Sequence, residues 1–464
     1  MERLIKVGKI NPVKSLNVKK SKIGVGFEKL DRDIFDPEKA YDKVAELGIK
    51  WVRIQSGWQK TEKEKGVYDF EWIDKIIDNL LKRGLQPWVC LCYGNELYDE
   101  LAKSVFGAVG CHPVYTDEQR NAWLNYVKAF VNRFKGKISY YEIWNEPDGS
   151  WCWKPGVNAT ELGEFTAETA KIIKDTNSEA KVIGGAVCFR EIAYLNEAFA
   201  SGMGEYIDYV SYHQYTPDES LVFERVKMLK SLVSKYNPKI EIIQGESGSP
   251  SRSDGRGALR VGAWTEEKQA KQLARRIIAD LITDVYFTSY FSSVDMIEAV
   301  GDVGNPNSYY GYFGVLAAEL DENDKSVVIS YNKKKSYYAL QNIASVFAED
   351  FRNCEMPATF LPEKSDRIFG MDLSGNKVIT GGFERDKGEA FVYWYPSDIM
   401  TTSYEGTVSM QIFSRYDKVR LIDIMDGSVY EIPETIMQRD KFGTYIIKNL
   451  PIKDTPMILT FGEF

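Results

Sequence analysis

Two hydrophobic rhythms alternate along the chain from residue 22 to about 348. Short, nearly continuous apolar runs mark strands buried on both faces. Between them lie longer stretches whose apolar residues recur every three or four positions, the mark of helices with one buried face. The runs are IGVGF (23–27), KWVRIQ (50–55), LQPWVCLCY (85–93), ISYYEIW (138–144), KVIGGAV (181–187), DYVSYH (208–213), KIEIIQGE (239–246) and VYFTSYF (285–291). Helical spacing falls at 37–48, 70–84, 117–135, 160–176, 190–201, 221–235, 265–283 and 337–347. In the second helix Trp72, Ile73, Ile76, Ile77, Leu80 and Leu81 share a face, and Gly84 is the stop signal. Eight strands alternating with eight helices predict an α/β fold, a (β/α)8 TIM barrel over 22–348.

Beyond the barrel the texture changes. Short apolar runs such as GEAFVYWY, VSMQIF, VRLIDI, GTYIIKNL and MILTF alternate with Gly, Asp, Asn and Pro clusters that leave no room for helices. This predicts an antiparallel β-sandwich over 349–464, an accessory domain. Residues 1–21 are basic and strand-like, able either to pair with that C-terminal sheet or to fray.

Composition narrows the function classes. With 464 residues, 44% hydrophobic and 27% charged, the chain has the make-up of an ordinary globular protein with room for two or three domains. No apolar run approaches the ~20 residues of a membrane helix. A net charge of −8 without a basic block argues against nucleic acid as a partner. The start, MERLIKVGKINPV, lacks the apolar centre of a secretory signal. The expected location is therefore cytoplasmic as the sequence stands, and periplasmic or secreted if a leader has been removed. Six cysteines without a CxxC pair read as buried free thiols. Only two histidines, His112 and His213, are present, which disfavours His-rich zinc sites and Ser-His triads. GESGS at 245–249 ends in Ser249 where a nucleophile elbow needs Gly, and GVGFEK at 24–29 lacks the third glycine of a dinucleotide fingerprint. No cofactor and no metal are expected.

The chemistry concentrates where the fourth strand runs into Asn145, Glu146 and Pro147. In a barrel of this kind the C-terminal ends of the strands carry the active site. The heptapeptide YEIWNEP (141–147) resembles the fourth strand of glycoside hydrolase clan A and looks closest to family 39. The resemblance implies a retaining glycoside hydrolase acting by double displacement, with Glu146 as acid/base and Glu246, at the end of the seventh strand, as nucleophile. It places an arginine, here Arg53, where it holds the nucleophile ionised. An H-x-Y pattern, here His213 and Tyr215, brings the tyrosine hydroxyl to the nucleophile, and Asn145 bonds the sugar 2-hydroxyl. Glu146 must then stay protonated beside a charged Glu246. The expected carboxyl separation is the ≈ 5–5.5 Å of retaining enzymes, not the ≈ 6.5–9.5 Å that admits a water.

Substrate contacts are less specified. Trp58, Trp151, Trp153 and Trp264 lie on loops at the barrel mouth, as sugar platforms or as loop core. Glu28, His112, Asp295 and Glu298 are candidate readers of hydroxyls. Two departures from the clan stand out: Cys92, Tyr93 and Gly94 occupy the place of a third-strand histidine, and the eighth strand offers only Tyr290 and Phe291 in place of a tryptophan. The long third loop (94–116) and the segment 299–335 can wall off a pocket. Exo action on a terminal sugar of an oligo- or polysaccharide is the first expectation. An endo-acting clan member and a carbohydrate-binding protein on an inactivated barrel are the alternatives. Neither a nucleic-acid nor a membrane partner is expected, and oligomeric state is not legible.

Overall fold

The structure is a computed structural model that describes residues 4–188, 192–298, 310–323, 327–361 and 378–464. Eight strands close into a barrel: β1 (Ile23–Gly26), β2 (Trp51–Gln55), β3 (Gln86–Leu91), β4 (Tyr140–Ile143), β5 (Lys181–Val187), β6 (Tyr209–His213), β7 (Glu241–Ser247) and β8 (Thr288–Tyr290). Each runs parallel to the next, and β8 pairs with β1 to close the ring.

Side chains of period two divide the interior into layers. Trp51, Trp88, Tyr140, Ile183, Tyr209, Ile243 and Phe287 gather into one apolar plug, with Trp51 stacked on Phe287 at 4.5 Å. Two residues further along the same strands come Arg53, Cys90, Glu142, Gly185, Ser211, Gly245 and Ser289. The plug is the apolar floor on which a polar layer rests. The Arg53 guanidinium lies 5.4 Å from the Trp88 ring.

Outside the ring, long helices span Glu71–Lys82, Asp117–Arg133, Ala159–Thr176, Ser220–Tyr236, Glu266–Ile282 and Lys335–Val346. A complete capping box, Thr116 with Gln119, starts the second of these. The helix expected over 37–48 is instead a 3-10 turn, Pro37–Lys39, followed by the five-residue helix Tyr41–Ala45. The helix expected over 190–201 starts at Ile192 and continues in a wider π turn, Phe199–Met203; residues 190 and 191 lie outside the described residues. Within the expected 299–335 segment, Leu316–Leu320 pairs with Val328–Lys333 as a hairpin, whereas 299–309 and 324–326 lie outside the described residues.

The C-terminal strands form two antiparallel sheets. The larger has the order Ile5–Lys9, Ser428–Glu431, Arg420–Asp423, Met457–Gly462, Gly388–Trp394, Ile379–Arg385, Arg352–Cys354, so the N-terminal strand lies at its edge. The smaller joins Ala358–Leu361, Glu405–Phe413, Thr444–Lys453 and Met437–Arg439. Alternation along Gly388–Trp394 explains the assembly. Phe391 and Tyr393 enter the core between the two sheets, while Ala390, Val392 and Trp394 join the core shared with the barrel.

That shared surface carries a buried polar clamp. Arg275 donates from Nε to Glu219 Oε1 (2.7 Å) and from Nη1 to the Ser397 carbonyl (2.8 Å), and the Trp394 indole donates to the same Glu219 oxygen (2.7 Å). Removing Arg275 would leave a buried carboxylate without its countercharge. Arg275→Ala is expected to lower unfolding free energy by about 3–5 kcal/mol in denaturant titration. A loss under about 1 kcal/mol would contradict the clamp. All six cysteines are free and five are buried. No helix among the described residues is long and apolar enough to cross a membrane.

Candidate active site

Arg53 is the hub of the polar layer. Its Nε and Nη2 donate to Glu142 Oε2 (2.9 and 2.5 Å), Nη2 also to Asn145 Oδ1 (2.8 Å), and Nη1 to Glu246 Oε1 (3.1 Å) and, longer, to Glu28 Oε1 (3.4 Å). Burial works to lower its pKa, but the charge of Glu142, with those of Glu246 and Glu28, reverses that and holds the guanidinium charged. Glu142 was not among the residues expected from sequence. A charged residue in the middle of an apolar strand, on the same face as Tyr140, was the signal available.

The end of β4 is shaped by backbone as much as by side chains. Trp144 and Glu146 both have left-handed φ (67° and 45°), a conformation that costs non-glycine residues on the order of 1–3 kcal/mol each. Hydrogen bonds from Trp144 N to Leu91 O (3.1 Å) and from Glu146 N to Ala186 O (3.0 Å) hold it. The buried Trp144 ring anchors the turn among Trp123, Trp153 and Phe165 and donates to the Cys152 carbonyl (2.6 Å).

Glu146 and Glu246 meet over this layer. One oxygen of each and one His213 ring nitrogen lie within 4.8 Å of one another. His213 Nδ1 is 3.2 Å from Glu146 Oε1 and 3.6 Å from Glu246 Oε2. Tyr215 donates its hydroxyl to Glu246 Oε2 (2.7 Å), and Trp151 donates its indole N–H to Glu146 Oε2 (2.9 Å). The same three side chains have the donor set to hold a divalent ion. However, the Arg53 charge beside Glu246 and the donors already on both carboxyls oppose a cation there.

The two carboxyls are shifted in directions opposite to those the expected roles require of the free site. Burial works to raise Glu146, yet the hydrogen bond and charge of His213 outweigh it and leave Glu146 below its ordinary value. Burial lifts Glu246 above its ordinary value, with the Glu146 charge adding to the lift against His213 and Arg53. His213, which burial works to lower, is raised by the Glu246 charge and the Glu146 hydrogen bond. Both shifts favour the His213 side of the His213–Glu146 contact for a shared proton.

Several expected sugar contacts are core residues instead, because loop side chains here find apolar neighbours or buried partners. Trp58 is buried, stacked with Tyr98 (5.4 Å) and Tyr126 (5.7 Å). Trp153 is buried against His112 at 3.7 Å; its indole donates to Glu161 Oε2 (3.0 Å), and His112 Nε2 lies 3.1 Å from the same oxygen. Tyr290 is fully buried, with its hydroxyl against the Ser249 backbone. Trp264 is buried and donates to Leu259 O (2.7 Å), and Asp295 is locked to Lys334 (2.6 Å). Glu298 pairs with Lys29 (2.7 Å). Of the four tryptophans named, Trp151, at 43% exposure, is the one in contact with the carboxyl pair. Asn145 is engaged by Arg53 through its oxygen and lies 3.6 Å from Cys152 Sγ through its nitrogen.

The chain is 26% identical over 300 residues to a β-xylosidase of Caldicellulosiruptor saccharolyticus, a match covering 58% of this chain and 59% of that one. Over 161 residues it is 26% identical to a β-xylosidase of Geobacillus stearothermophilus, covering 33% and 31%. The chain therefore spans less than two thirds of either relative's length. In fold it is similar to a family 39 glycoside hydrolase from the gut symbiont Bacteroides cellulosilyticus WH2 (TM-score 0.63, 16% identity, 95% of this chain and 80% of that one). A monomeric β-xylosidase from Caulobacter crescentus CB15 is also similar (TM-score 0.60, 16% identity, 99% and 98%). The sequence model of glycosyl hydrolases family 39 matches residues 5–343, most of the chain, and the chain belongs to that family.

Proposed function

We propose that this protein is a retaining glycoside hydrolase that removes a terminal sugar from an oligo- or polysaccharide by double displacement. The observation that carries the reading is the Glu146–Glu246 pair at the ends of β4 and β7, with oxygens within 4.8 Å. Carboxyls this close favour direct attack on the anomeric carbon over activation of an intervening water.

In this reading Glu246 attacks, aligned by Arg53 Nη1 and the Tyr215 hydroxyl, and forms a glycosyl ester while the leaving oxygen takes a proton from Glu146. A sugar seated over the pair excludes water, which disfavours the charged forms of both Glu146 and His213. That draws the proton across the 3.2 Å contact onto Glu146, where the acid step needs it. Once Glu246 is an ester its charge is gone, and Glu146 acts as base toward water. Trp151 serves as a platform beside the leaving group, and the Asn145 amide, whose sulfur contact is long and weak, exchanges it for a sugar hydroxyl.

The β-xylosidase relatives make β-xylosides the first substrates to try. In a panel of 4-nitrophenyl glycosides, turnover of at least one member is expected, with single sugars released from unmodified oligosaccharides. Binding without turnover of any member would favour a sugar-binding protein, and release of internal fragments would favour an endo-acting enzyme.

A further inference from the structure

We propose that Glu28 is a positioning residue of this site: it shares Arg53 Nη1 with Glu246 and thereby sets where activity falls on the alkaline side. The inference rests on the glycosidase reading above and adds a residue to it.

Glu28 follows β1 directly and is 1% exposed, too buried to touch a sugar. Its Oε1 lies 3.4 Å from Arg53 Nη1, the same nitrogen that serves Glu246 Oε1 at 3.1 Å. Its Oε2 is buried without a hydrogen-bond partner. The side chain folds back over β1 because residue 26 is glycine: a Cβ there would stand 2.0 Å from Glu28 Oε2.

The charges gathered around Arg53 and Glu246, the two groups that act on Glu28, explain why its ionisation matters. Arg53 comes from β2, Glu142 from β4 and Glu146 from its end, His213 from β6 and Glu246 from β7. Lys29, the next residue, turns away to Glu298. Four carboxyls therefore share one guanidinium and one imidazole, and ionising all four would leave excess negative charge buried even with His213 charged. The remaining donors of Arg53 are taken by Glu142 and Asn145, so Nη1 is the one that can be redistributed.

Burial pushes Glu28 up to about 7, with Arg53 opposing and the Glu246 charge adding to the rise. As an acid, Glu28 is a weak acceptor and leaves Nη1 to the nucleophile. As a carboxylate it draws Nη1 toward itself, weakening the bond to Glu246, and sets a second negative charge beside the nucleophile, which then relies more on Tyr215 and the longer His213 contact. Sugar transfer to Glu246 is expected to fall as pH rises through about 7.

The test uses 2,4-dinitrophenyl β-xyloside, whose leaving group needs no proton, so that loss of the Glu146 proton cannot produce the limb. The limb is expected to persist in Glu146→Ala and to move up by about one pH unit or more in Glu28→Gln, whatever the height of its plateau. A limb that vanishes in Glu146→Ala, or stays in place in Glu28→Gln, overturns the proposal. Infrared titration decides it without turnover. The wild-type protein is expected to lose a buried carboxylic-acid C=O band as pH rises through about 7, and Glu28→Gln to lack that band. A wild-type protein with no such band also overturns it. If no glycoside in the panel is cleaved, the glycosidase reading fails and the infrared result still judges Glu28.

Discussion

Glu246→Gln is expected to fold as the wild type does and to lose activity on every substrate, with kcat down on the order of 10⁴-fold or more. The amide keeps the size of the side chain and can still accept from Arg53 Nη1, which donates to Oε1 at 3.1 Å. The Tyr215 hydroxyl, now 2.7 Å from Oε2, can rotate to accept from the new NH₂. Packing is therefore preserved while the anionic carboxylate that attacks carbon is replaced by a neutral, weakly nucleophilic amide. Steady-state kinetics beside a thermal melt separate the two effects. Activity within about tenfold of wild type, in a protein with an unchanged melt, would remove Glu246 from the mechanism.

Glu146→Ala is expected to discriminate between substrates. Natural glycosides, whose leaving oxygen must be protonated, should lose on the order of 10²–10⁴-fold, whereas dinitrophenyl glycosides should lose far less in the sugar-transfer step. The second step still lacks its base, so the glycosyl ester should accumulate and show a burst. Azide needs no base, and it should restore turnover and yield a glycosyl azide. His213 would lose its nearer partner and keep only Glu246 at 3.6 Å, which should tighten that contact. Equal losses on both substrate classes, with no response to azide, would reassign the acid/base role.

How much of this was legible depended on whether a regular period fixed the direction of a side chain. The barrel strands were readable because strands covered on both faces are apolar throughout, and KVIGGAV coincides with β5 residue for residue. Short hairpins were not. Met296–Ile297 and Tyr310–Gly311 pair over two residues each, too few to show any period. The same division runs through the site. Arg53, Asn145, Glu146, His213, Tyr215 and Glu246 stand in strands or within three residues of their ends, where the fold dictates that they converge. Trp153, Trp264 and His112 stand in loops and Trp58 opens a four-residue helix, Trp58–Thr61, where hydrophobic neighbours decided their direction and no sequence period reported it. Glu142 was hidden for a different reason. It sits among tyrosines and an isoleucine that mark a strand, and its burial makes sense only once Arg53, 89 residues earlier in the chain, is seen beside it. Glu28 likewise needed Gly26 and the closed ring before its carboxyl could be placed under the nucleophile.

The central claim is that Glu246 attacks the sugar directly and that water enters only in a second step, from the face the leaving group has left, opposite Glu246. Proton NMR of the first-formed product, recorded during early turnover before mutarotation, tests it most directly. The account predicts that the released sugar first appears with the anomeric configuration of the substrate. An inverted anomer appearing first would contradict it, even if both glutamates proved essential.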